Sequence, residues 1–280
     1  QRLPRSVRHT QQEDRPRHGQ DEPHEVGPRV HRLPESHLAN VYGLARRGGA
    51  AFRLRPGLSP EGVGSRVDPM TDPSPLRIAL FSEVYWPMVS GVGVTLLRLT
   101  DALRARGHDV RVYSATYPLP AGRPDREEVH RSPSVPLFLY PDVQWAFPRP
   151  REVLDDLARF RPDVVHLATE FSLGVAGVKA ARQLQLPVIA SAHTDYDQYA
   201  ARYGVTWALR AGWHYLRWFY GHAHRVLCPS RIYEEHLHCH GVRHTGLWSR
   251  GVDPEVFHPR YRTTTYRERF GAGPGDLLVT

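Results

Sequence analysis

From Leu76 onward, apolar residues fall alternately into short continuous runs and stripes at helical spacing. Leu76–Phe81 is almost unbroken apolar sequence, the pattern of a strand buried on both faces. Ser82–Gly93 is a loop carrying Pro87, Gly91 and Gly93. The spacing predicts a helix from about Val94 to Arg106, with Leu96, Leu99 and Leu103 on one face and Arg98, Asp101 and Arg104 on another. Gly107 stands where a helix C-cap belongs, and Val110, Val112 and Tyr113 begin a second strand. One βαβ unit of this kind predicts a parallel sheet with ligand chemistry at the strand C-terminal ends.

The same alternation continues. A polar, Pro-rich connection runs to about Val129, and Val135–Tyr140 is a short apolar segment. A helix is predicted over Arg151–Phe160, a buried strand over Val164–Leu167, a helix from about Gly174 to Leu184 and a strand over Val188–Ala192. Residues 197–224 read as one aromatic-rich helical stretch, with Trp207, Trp213 and Tyr220 sharing broadly one side and Arg202, Arg210 and Arg217 interleaved. Such a face suits either helix packing or the interface of an anionic membrane. Val226–Cys228 and Thr245–Trp248 are further strands, and Pro254–Gly275 reads as a linker before a new strand at Asp276–Thr280. The fold class is α/β, a Rossmann-like doubly wound parallel sheet. Residues 1–75 show neither period and are expected to be a disordered leader. Met70 is a candidate true start, with 1–69 as upstream sequence; the alternative is a tail that binds an anionic surface.

Composition narrows the function classes. The net charge of +8 is spread between leader and remainder, which suits an anionic substrate or membrane surface but lacks the clustered stripe of a nucleic-acid binder. Two cysteines are too few for a disulfide framework and fit a cytoplasmic setting. No run of about 18 apolar residues predicts a transmembrane helix.

Candidate chemistry is concentrated in the loops after strands. Ser90-Gly91-Val92-Gly93 lacks the third glycine of the dinucleotide fingerprint, since Leu96 occupies that position. A glycine pair before a helix suits a phosphate, or it simply makes the turn. His193 directly follows a buried strand, where it could hydrogen-bond a sugar hydroxyl or a developing charge, or else cap the next helix or bond a carbonyl. His222, His224, His236, His238, Cys239, His240 and His244 fit no closed zinc spacing and read as surface histidines of one helix. There is no G-x-S-x-G elbow and no Walker loop.

Five ordered segments carry a resemblance: FSEVYWPMVSGVGVTLLRLTDALRARGHDV, RPDVVHLATEFSLG, PVIASAHTDY, HRVLCPS and SRGVDPEVFHP. Together they resemble the N-terminal half of the GT-B fold in family 4 retaining glycosyltransferases, and within these the GDP-mannose-dependent α-mannosyltransferases and phosphatidylinositol mannosyltransferases. The resemblance implies a division into a leader (1–75), an acceptor-side domain (76–256) and a linker with the start of a donor-binding domain (257–280). It implies transfer of a hexose, mannose first, from GDP-mannose or a UDP-sugar to a lipid or glycan hydroxyl, with the α configuration retained. Gly91 would approach the donor diphosphate, His193 would serve as the catalytic-site residue beside the sugar, and Gly93 and Arg250 would lie on the acceptor side. Gly93 stands where several relatives carry a polar residue. No cofactor and no metal are implied, and nucleic acid is not an expected partner. The expected setting is the cytoplasm, with peripheral contact at the inner face of the cell membrane. The basic pair and Glu motif of the family's donor domain are absent from these 280 residues, so the chain alone is expected to be inactive. The competing class is a non-catalytic module that binds an anionic lipid headgroup or a glycan.

Overall fold

The computed structural model describes residues 75–137, 140–202, 204–249, 257–273 and 275–277. Residues 1–74 of the expected leader, including Met70, and residues 278–280 of the last expected strand lie outside them.

Nine strands and seven α-helices are formed among the described residues: β1 (Arg77–Ser82), α1 (Gly91–Ala105), β2 (Asp109–Ala115), β3 (Val129–Ser132), β4 (Ser134–Leu137), β5 (Tyr140–Ala146), α2 (Pro150–Phe160), β6 (Val164–Leu167), α3 (Ser172–Gln183), β7 (Val188–Ser191), α4 (Tyr196–Arg202), α5 (Leu209–Tyr220), β8 (Arg225–Cys228), α6 (Arg231–Cys239), β9 (Thr245–Leu247) and α7 (Thr264–Arg269). The main sheet has seven strands in the order β3-β2-β1-β6-β7-β8-β9, and every pairing is parallel. Strand order therefore reverses between β1 and β6, which opens a crevice at their C-terminal ends.

The apolar runs resolve into two interleaved sets, because successive strand residues point to opposite faces. Ile78 and Leu80 join Val110, Val112 and the Leu96, Leu99 and Leu103 stripe of α1 in one core. Ala79 and Phe81 join Val165, Leu167, Leu157 and Phe219 in the other, beneath α2, α3 and α5. This two-sided burial makes the sheet doubly wound. Burying each of these large side chains stabilises the fold by about 1.5–3 kcal/mol.

Three expected elements differ. The first helix starts at Gly91 rather than Val94, because the Ser90 side chain accepts a hydrogen bond from the Gly93 N–H and caps the helix. The apolar segment near Val135 is an antiparallel hairpin of β4 and β5, pairing Ser134 with Ala146 and Val135 with Trp145. The stretch 197–224 breaks into α4, a 3-10 turn at Thr206–Ala208 and α5. Gly204 enters the left-handed region at φ +68, and the Val205 N–H turns back to the Ala200 carbonyl at 2.9 Å, so the helix cannot continue. As a result Trp213 and Tyr220 are buried, whereas Trp207 is 83% exposed, and the three do not share a side. Within the expected linker, α7 forms a short helix with no buried residues.

Candidate functional site

The crevice is built from the loops after β1, β6 and β7. After β1, the chain passes through Glu83 and turns into α1 at Ser90. Gly91 is exposed at the first position of α1, and no acidic residue occupies that first turn. Positive helix-dipole charge and outward N–H groups therefore meet solvent without an internal carboxylate. Gly93 is buried: a Cβ there would lie 2.9 Å from the Met88 carbonyl oxygen and 3.2 Å from Ser90 Oγ. Its absence of a side chain lets the loop close onto the helix.

His193 follows β7 and is half-buried. Its Nε2 is 2.9 Å from Ser191 Oγ, and the same hydroxyl is 3.0 Å from His166 Nε2. A hydroxyl carries one proton, so Ser191 donates to at most one of these imidazoles and accepts from at least one. His166 is fully buried on β6, and that burial pushes its pKa down to about 3, which holds it neutral. The Trp248 ring stands edge-on to both imidazoles, with centroids 5.5 Å from His193 and 6.0 Å from His166. The His193 ring is thereby held from two sides at the sheet's C-terminal edge. Asp195 Oδ1 accepts the Gln198 N–H at the start of α4.

Two buried carboxylates brace the switch point. Glu83 Oε1 accepts from the Leu173 N–H at 2.5 Å and from Ser172 Oγ at 3.1 Å, and Thr169 Oγ1 donates to Glu83 Oε2. Glu83 thus caps α3, whose own N-cap residue, Phe171, makes no side-chain cap. Glu170 accepts the Tyr196 hydroxyl at 2.6 Å and the Tyr220 hydroxyl. Burial raises the pKa of both carboxyls, only partly offset by these donors.

Gly91 and His193 thus lie on one edge, on loops after strands two spacings apart, about 10 Å. Arg250 lies outside the described residues. Reading the sequence missed His166, Ser191, Trp248, Glu83 and Glu170. A usable signal existed for one of them: Ser191 and His193 are two apart at a strand end and so share a face.

Over 213 residues the chain is 34% identical to a GDP-mannose-dependent alpha-mannosyltransferase of Corynebacterium glutamicum, covering 73% of this chain and 50% of that protein. A Mycolicibacterium smegmatis protein of the same description is 37% identical over 193 residues, covering 67% and 51%. An alpha-monoglucosyldiacylglycerol synthase of Streptococcus pneumoniae is 32% identical over 170 residues, covering 60% and 38%. The chain spans about half the length of the first two relatives. The model of Glycosyltransferase Family 4 matches residues 89–256, from the α1 cap through every later strand of the sheet, and this chain belongs to that family.

Proposed function

We propose that this chain is the acceptor-side half of a retaining hexosyltransferase. The enzyme transfers mannose from GDP-mannose to a lipid or glycan hydroxyl and keeps the α configuration. The observation that carries this reading is the 34–37% identity to GDP-mannose-dependent alpha-mannosyltransferases over two thirds or more of the chain. The domain division proposed with it is 76–256 for this half and 257–280 for the passage into a donor-binding domain.

The geometry supports roles for Gly91, Gly93 and His193, and the role given to Arg250 rests on the family resemblance alone. Gly91 opens a helix start free of acidic side chains, where the donor diphosphate can approach the backbone N–H groups. Gly93 keeps the acceptor-side turn narrow. His193, fixed by Ser191 and Trp248, hydrogen-bonds the transferred sugar. Arg250 contributes from the segment before the second domain. In this reading the acceptor hydroxyl attacks on the face from which the diphosphate departs. The departing diphosphate takes the acceptor proton, so no protein nucleophile is used. The chain's contribution is orientation and charge complementarity.

The acceptor is proposed to be a lipid-linked or glycan hydroxyl met at the cytoplasmic face of the membrane. None of the described helices is long and apolar enough to cross a membrane, so contact there would be peripheral. The Streptococcus pneumoniae relative supports a second donor, a glucosyl nucleotide. A transfer assay with radiolabelled GDP-mannose or UDP-glucose and a total lipid extract tests both donors. The polypeptide continued through a donor domain is expected to label lipid or glycan from GDP-mannose, and the 280-residue chain alone is expected to label nothing. Labelling from UDP-glucose only would replace the donor. Turnover by the isolated chain would overturn the two-domain requirement.

A further inference from the structure

Six histidines between 222 and 244 have no place in the crevice. Folding accounts for four histidines as structural: His222 bonds the Trp218 carbonyl, His224 the Val188 main chain, His238 the Thr245 hydroxyl and His244 the Tyr220 carbonyl. The remaining two, His236 and His240, are one helical turn apart on α6 and its C-cap, and both face Asp197 of α4.

The geometry points to a zinc site formed by Asp197, His236 and His240. The three ligand atoms lie within 4.8 Å of one another. Asp197 Oδ2 is 3.2 Å from His236 Nε2 and 3.5 Å from His240 Nε2. A tetrahedral zinc with bonds of about 2.0–2.1 Å separates adjacent ligand atoms by roughly 3.3–3.4 Å. The two Asp197–histidine separations bracket that value, and the third lies within 4.8 Å.

A second observation points to a ligand. His236 Nε2 is sealed from solvent and makes no hydrogen bond among the described residues, although Asp197 Oδ2 is near. A buried nitrogen of this kind is costly unless something engages it. A metal between the three groups does so, and it uses the imidazole lone pairs that neither carboxylate oxygen can bond.

The surroundings orient the ligands. The Trp213 indole N–H donates to Asp197 Oδ1 at 2.7 Å, which leaves Oδ2 turned toward the histidines. The same indole stacks on His240 with centroids 3.7 Å apart and planes at 1°. Outer partners of this kind fix ligand geometry in metal sites. About 30% exposure of each ligand side chain leaves a fourth position open. Arg210 and Arg217 line the same opening, so that position suits hydroxide or another small anion. Imidazole and carboxylate together favour zinc, with copper and nickel as competitors for the same geometry. Bound there, zinc would clamp α4, which begins three residues past His193, onto α6.

Titration of the metal-free 280-residue chain with Zn²⁺ against a chromophoric chelator tests this. One zinc per chain is expected, with a rise in Tm as zinc is added, and Co²⁺ in its place should give the visible bands of four-coordination. His240→Gln and Asp197→Asn should lose the stoichiometric binding. Trp213→Phe keeps an aromatic ring but loses the indole N–H, and should weaken binding by about 10- to 100-fold. His238→Gln should leave it unchanged. No stoichiometric zinc in a folded wild-type chain would overturn the proposal. So would retained affinity in folded His240→Gln, which would assign the metal to other histidines.

Discussion

Gly174 gives the sharpest test of how the crevice is built. It lies in the first turn of α3, where a Cβ would sit 2.0 Å from the Thr169 carbonyl oxygen and 3.0 Å from Phe219 Cζ. The first contact is with main chain, so no rotamer change relieves it. In Gly174→Ala the helix start must move away from the 169–171 turn, because a Cβ 2.0 Å from the Thr169 carbonyl oxygen has to gain more than 1 Å before it reaches the 3.4 Å of ordinary contact. That shift lengthens the Leu173 N–H bond to Glu83, now 2.5 Å, and the Ser172 hydroxyl bond to the Ala146 carbonyl, now 2.6 Å. Weakening one buried bond to a carboxylate costs about 1.5–3 kcal/mol, and overpacking adds about 1–3 kcal/mol. The expected loss is therefore about 2.5–6 kcal/mol, a large share of the 5–15 kcal/mol typical of a domain. Gly212→Ala supplies the control. Gly212 is an exposed position inside α5 where a Cβ would meet nothing within 4 Å. Alanine there should stabilise by about 0.4–1 kcal/mol. Urea unfolding with linear extrapolation reads both. If Gly174→Ala falls within 1 kcal/mol of wild type while Gly212→Ala behaves as expected, the helix start is not held against the turn and Glu83 is not its cap.

Three further outcomes are expected. His193→Ala should leave the unfolding midpoint nearly unchanged and lower kcat in the proposed two-domain enzyme by about 100-fold or more; Ser191→Ala should lower kcat less, about 10-fold, because it only frees the ring, and equal effects would refute that ranking. Burial raises the carboxyl pKa of Glu170 above its ordinary 4.5, so the native state binds its proton more tightly than the unfolded chain. Stability should then be highest below pH 4.5 as far as this group is concerned and fall as pH rises through the shifted value; Glu170→Gln should flatten that slope in pH-dependent urea melts, and an unchanged slope would count against it. Trp207 is 83% exposed, so Trp207→Ala should leave Tm within about 1 °C yet weaken sedimentation with anionic vesicles, if this face meets a membrane; unchanged sedimentation would remove Trp207 from that role.

Local pattern was enough to specify the layered fold. Continuous apolar runs separated by helical stripes can satisfy burial on both faces only as a parallel sheet between helices, and Leu96, Leu99 and Leu103 do face it. The Gly91 turn and the position of His193 after a strand were legible for the same reason, because a strand's end and a helix's start are local events. What joins them is not local. Ser191 bridges His193 to His166 across 25 positions, and Glu83 caps a helix 90 residues away. Trp248 closes on His193 from the far edge of the sheet. Asp197 meets His236 and His240 because the chain breaks at Gly204 and α5 packs Trp213 against Asp197 and His240. Periodicity records which side of an element is apolar; it carries no information on which polar groups two distant elements will bring within 3 Å. That is settled by strand order and by the close approach of backbones, as at Gly174, where one hydrogen in place of a methyl group decides whether the helix can seat at all.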